Sequence, residues 1–203
     1  MDNKAYLDQI AVKGKVKSGP IFTPMLIKII AAGVVALITL IIVGAVISSS
    51  NSKVTQTYER AYLRITNLAN AKGPLQVYAE KVKDSNLRSY ALTFFSSLKT
   101  TNVSLSGISN NIGIKPNDIS KTVKGEEDAN TADLEASFNN AVLTGTIDEV
   151  YASKFYQQIS LLLAIEAEAR AKTTNQQFAS VLDQSTNDIV IIQNQLNEFN
   201  SGK

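Results

Sequence analysis

Cysteine and histidine are both absent from this chain of 203 residues. Without cysteine there is no disulfide, no thiol nucleophile, no zinc–thiolate centre and no lipid-modified cysteine anchor. Without histidine the commonest general base is missing. A surplus of one charge is missing too. Residues 49–203 carry 15 basic and 16 acidic side chains, a net charge of −1, so there is no basic footprint for nucleic acid. No glycine-rich phosphate loop is present either. These absences point away from an enzyme and imply no cofactor, no metal ligands and no catalytic residues.

What the chain does have is one long apolar run. Residues 29–47 hold 19 residues without a charge, and Thr39 is their only polar side chain. As a helix they extend about 29 Å, the hydrocarbon thickness of a bilayer. Twelve are Leu, Ile or Val, which favours insertion by roughly 4–7 kcal/mol. The run is longer than a signal-peptide core, and no small-x-small site precedes Ser48. An uncleaved transmembrane helix is therefore expected. Residues 1–28 carry five lysines against two aspartates, and the positive-inside rule places this tail in the cytoplasm. The rest of the chain is then extracytoplasmic on a single-pass cell-membrane protein. A disulfide-free outer domain suits a bacterium that lacks oxidative folding.

Residues 48–52 read as a Ser/Asn tether. Beyond them the period is helical: Tyr58, Tyr62, Ile65 and Leu68, then Leu87, Ala91, Phe94, Leu98 and Leu105. The expected class is all-α, an antiparallel four-helix bundle over 53–199 with a short disordered tail at 200–203. Its hairpins fall at about 53–111 and 131–199, joined by a crossover over 113–130 with a short helical turn after Pro116. Hairpin turns are expected near Asp84-Ser85-Asn86 and Gln157-Gln158, or alternatively at Gly73 and Gly145. Gly73-Pro74 is a stop-and-restart signal, and Thr146 to Glu149 is a capping-box sequence.

An ungapped shift of 73 residues lays Val77-Tyr78-Ala79 on Val150-Tyr151-Ala152. The same shift lays Lys99-Thr100-Thr101-Asn102 on Lys172-Thr173-Thr174-Asn175. This implies a duplication of two similar hairpins packed face to face. Residues 138–150, FNNAVLTGTIDEV, are similar to a helical Phe–Ala–Gly–Glu-Val motif of exported ferritin-like domains, the DUF4142 group. That likeness implies a ferritin-like scaffold. The di-iron site of that scaffold needs Glu-x-x-His motifs, which a chain without histidine cannot supply. The overall layout resembles single-pass surface proteins of small-genome bacteria such as Saccharibacteria.

The candidate interaction residues are the repeated ones: Tyr78, Tyr151, Lys99, Thr100, Thr101, Asn102, Lys172, Thr173, Thr174 and Asn175. For the two tyrosines the competing reading is core packing. For the two Lys-Thr-Thr-Asn patches it is a local polar face or bend. Glu166 and Glu168 point in different directions on a helix and read as solvated charge. Glu126-Glu127-Asp128 lacks the pattern of a calcium loop. The expected function is a non-enzymatic surface or envelope module working through contacts. Its partners are the lipid bilayer and another envelope or surface protein, or a second copy of itself. The alternative is a ligand-binding sensor bundle with a separate signalling or transport partner.

Overall fold

The computed structural model describes residues 51–201. The apolar run 29–47 and the basic tail lie outside the described residues. Among the described residues no helix is long and apolar enough to cross a membrane.

The described residues are all-helical, six helices packed together. These are α1 (Asn51–Leu68), α2 (Pro74–Ala79), α3 (Ser85–Ile108), α4 (Lys121–Thr144), α5 (Ile147–Lys172) and α6 (Gln176–Ser201). Short 3-10 turns at Ser109–Ile112 and Pro116–Asp118 lie between α3 and α4. The core positions explain why α3 and α6 pair. Leu87, Ala91, Phe94, Leu98, Thr101 and Leu105 are buried along α3. Phe178, Leu182, Ser185, Ile189, Ile192 and Leu196 are buried along α6. Both stripes alternate steps of four and three residues, the spacing that keeps one face of a helix on a partner.

Helices α1, α3, α6 and α5 form a closed ring in which α1 touches α3 and α5, and α6 touches α3 and α5. Cross-links between helices give the directions. Thr57 bonds Glu168 and Arg64 bonds Gln158 between α1 and α5, while Ser97 bonds Asp188 and Tyr90 packs on Phe199 between α3 and α6. Neighbours in the ring run antiparallel. Helix α4 lies outside it against α1 and α5, parallel to α1, since Arg60 meets Glu126 and Arg64 meets Glu127. The short α2 packs on α3, α4 and α5. An aromatic chain runs through the interior. Tyr78 packs on Phe138, Phe138 on Tyr151, Tyr151 on Phe155 and Phe155 on Phe94, with ring centres 5.1 to 5.7 Å apart.

Local signals account for most helix ends. Asp84 caps α3 by accepting from the backbone of Asn86 and Leu87. Pro74 opens α2 in its first turn. Gly145 closes α4 with a left-handed φ of 74°. Thr146 N–H reaches the Ala141 carbonyl at 2.9 Å, the long bond of a Schellman cap. Gly145→Ala meets no atom within 4 Å of its new Cβ, so its cost is conformational. Denaturant unfolding should show a loss of about 1 kcal/mol; an unchanged midpoint would mean the turn relaxes freely.

Several sequence expectations need correction. Helix α5 runs through Gln157-Gln158 without a break, and Gln158 is buried. The α4–α5 turn is at Gly145 and the α5–α6 turn lies at 173–175. The expected crossover of 113–130 shrinks, because 121–130 is already α4; the turn after Pro116 is present. Asn51 and Ser52 belong to α1, and α6 continues to Ser201. The 73-residue shift lays the Asp84 turn on the middle of α5. It also lays mid-α3 residues on the α5–α6 turn. The two halves are therefore not similar hairpins. The apolar stripe of α5 stays unbroken because nothing at 157–158 interrupts its helical hydrogen bonding.

Candidate functional site

Helix α1 turns Ala61, Arg64, Ile65 and Leu68 toward one side, and all four are buried. Helix α4 does the same with Val123, Glu127, Leu134 and Phe138, and α5 with Tyr151, Phe155, Gln158 and Leu162. Three polar residues thus occupy core positions of three helices and meet. Arg64 Nη1 donates to Glu127 Oε2 at 3.1 Å and Oε1 at 3.3 Å. Its Nη2 donates to Gln158 Oε1. Gln158 and Asn130 exchange amide hydrogen bonds at 3.1 and 3.3 Å. Asn67 Nδ2 donates to Glu127 Oε2 at 3.4 Å. Burial pulls the Arg64 guanidinium below its ordinary pKa, and the Glu127 carboxylate works against that pull. Outside this junction, Arg60 grips Glu126 with two bonds of 2.8 and 2.9 Å at the surface. That contact holds the Glu126 carboxyl below its usual range.

A second polar centre lies between α5 and α6. Glu166 is completely buried, not solvated as its sequence context implied. Ser185 Oγ donates to its Oε1 at 2.6 Å and Thr186 Oγ1 to its Oε2 at 3.0 Å. Burial is the dominant effect and pushes its pKa up to about 7, with the two hydroxyls opposing. Glu168 instead takes the Lys172 ammonium at 2.6 Å, and Lys172 also contacts Thr57. Among the described residues no group of acidic side chains could hold a metal ion. The cluster at Glu126-Glu127-Asp128 sends its first two carboxylates to Arg60 and Arg64.

The residues singled out from sequence fare differently. Tyr151 and Tyr78 come together, packed on Phe138, but as core side chains. Tyr151 donates to the Leu75 carbonyl at 2.9 Å and Tyr78 to Asn139; burial pushes the Tyr151 phenol up. Tyr151 is fully buried and Tyr78 is 9% exposed, so packing against Phe138 accounts for most of both rings. The Lys-Thr-Thr-Asn patches are not brought together as equivalent surfaces. In mid-α3, Lys99 and Thr100 are exposed, Thr101 is buried and Asn102 accepts from Thr66 on α1 at 2.8 Å. The second patch is a turn. Lys172 ends α5, Thr174 is exposed, Thr173 Oγ1 accepts from Asn175 N–H at 3.1 Å, and Asn175 caps α6 by accepting from Phe178 N–H at 2.9 Å. Asn175→Ala should therefore cost about 1 kcal/mol in thermal or denaturant unfolding. Asn175→Asp, which keeps the cap, should restore it; equal losses in both variants would argue against a capping role.

Sequence reasoning missed Arg64, Glu127, Gln158 and Glu166 as interior residues. The available signal was register. Each lies in step with an apolar stripe, as Glu166 does with Ile159, Leu162 and Ala169.

One open groove lies on the α3–α6 side. It has a volume of about 410 Å³ and is lined by Ser89, Tyr90, Thr93, Asp188, Ile191 and Gln195, among others. Fold and interior together define an all-helical bundle cross-braced by a buried ion pair. The chain matches no known family model, no curated protein and no solved structure.

Proposed function

We propose that this is a membrane-anchored helical module that works by contact, not by catalysis. Residues 29–47 form its single transmembrane span, the basic tail is cytoplasmic and residues 51–201 are extracytoplasmic. The observation that carries this reading is how the interior polar groups are used. Arg64, Glu127, Gln158 and Glu166 bond to one another or to hydroxyls of neighbouring helices. Groups spent on bracing helices are closed to a substrate, whereas a bundle braced this way holds a rigid outer surface. The ferritin-like likeness of 138–150 is kept for the scaffold alone. Partners in this reading are the lipid bilayer and another envelope or surface protein, or a second copy.

Protease shaving of intact cells, followed by crosslinking, tests the proposal. The expected result is that 51–201 is removed from outside and, in unshaved cells, crosslinks to a defined protein. Protection of the domain in cells whose envelope is accessible would invert the orientation and defeat the surface reading.

A ligand-binding sensor is the second reading. It is favoured by the α3–α6 groove, where hydroxyl, amide and carboxylate groups line the same space. A compound that raises the melting temperature of the wild type but not of a Thr93→Val/Gln195→Leu variant would move the assignment to a sensor.

A further inference from the structure

The Nε–H of Arg64 is the one buried side-chain polar group among the described residues that has no protein partner. The residue is completely buried, so bulk water does not reach it. Beside it lies a partly open pocket of about 20 Å³ at the break at Gly73, where Arg64, Asn67, Gln76, Glu127, Asn130 and Thr131 line the space among apolar side chains. We infer that this pocket is a built hydration site. It takes one ordered water, which accepts from Arg64 Nε–H and donates to oxygens of the lining.

Size and charge select the ligand. A single water needs roughly 10–15 Å³ measured this way, so one fits and a phosphate or sulfate does not. A small anion would face the Glu127 carboxylate, which already balances Arg64 at 3.1 Å. A cation would face the guanidinium. A neutral molecule that both accepts and donates satisfies the orphan donor without adding charge. The consequence is structural. Arg64 reaches α4 and α5 through its Nη atoms, and through the water its Nε also joins the α1–α2 break to α4. The site is independent of whatever the domain touches outside.

The test is nuclear magnetic resonance on the full chain, uniformly labelled with ¹⁵N, reading cross-relaxation between water and arginine Nε–H protons. Arg60, Arg88 and Arg170 are at least partly exposed and should exchange quickly. Arg64 should give one slowly exchanging resonance, absent from Arg64→Lys, with a cross-peak to a long-lived water. The exchange rate alone identifies it if that variant does not fold. A slowly exchanging Nε–H without a water cross-peak would overturn the inference, because the donor would be dry or bound to protein. Fast exchange at Arg64 would overturn it as well, since the guanidinium would then be open to bulk solvent.

Discussion

Arg64→Met should destabilise the domain by about 3–5 kcal/mol, the range found when one partner of a buried ion pair is removed. The size comes from what is left behind. Glu127 is only 7% exposed and would be left with Asn67 alone, at 3.4 Å. Gln158 would lose its bond from Nη2. The pair itself is worth far less than this, because burying both ions has already cost much of their attraction. A double variant, Arg64→Met with Glu127→Leu, should therefore recover most of the loss. Chemical denaturation of the wild type, Arg64→Met, Glu127→Leu and the double variant gives the coupling energy between the two sites. If the double variant is as unstable as the single one, the junction stabilises through packing geometry and not through charge compensation.

The second large effect is a pH dependence centred on Glu166. Its folded-state pKa of about 7 lies above the ordinary 4.5, so the folded chain binds the proton more tightly than the unfolded chain. Stability from this group is fully present below pH 4.5 and is lost as the pH rises toward and past 7. The loss is on the order of 3 kcal/mol at about 1.4 kcal/mol per pKa unit. Glu166→Gln keeps an acceptor for Ser185 and Thr186 and removes the titration. Its unfolding free energy should stay flatter than the wild type between pH 4.5 and 8, and should exceed it by about 2–3 kcal/mol at pH 8. Parallel curves for the two chains would show that Glu166 does not titrate in this window.

Both effects arise from residues that carry charge on an otherwise apolar stripe, and this explains what could be read in advance. The all-helical class, the breaks at Gly73-Pro74 and Asp84, and the alternative turn at Gly145 follow from the sequence. So do the core roles of Leu87, Ala91, Phe94, Leu98 and Leu105. The turn expected at Gln157-Gln158 failed for a related reason. Two glutamines look like a surface break, yet Gln158 has a bonding partner in Asn130 and another in Arg64. The reading of two similar hairpins failed because identical Lys-Thr-Thr-Asn words have different structural uses, mid-helix in one case and a turn with an α6 cap in the other.

Helix class, caps and periodicity belong to the chain by itself, because each is settled within a few residues by backbone geometry and side-chain spacing. The uncharged run at 29–47 is a fact of the sequence alone and lies outside the described residues. Only the tertiary structure decided that α4 lies outside the ring, and that Arg64, Glu127, Gln158 and Glu166 are interior. A charge can be buried only where its partner arrives. For Arg64 those partners lie 63 and 94 positions away, on helices whose neighbours are chosen by how all their apolar faces pack together.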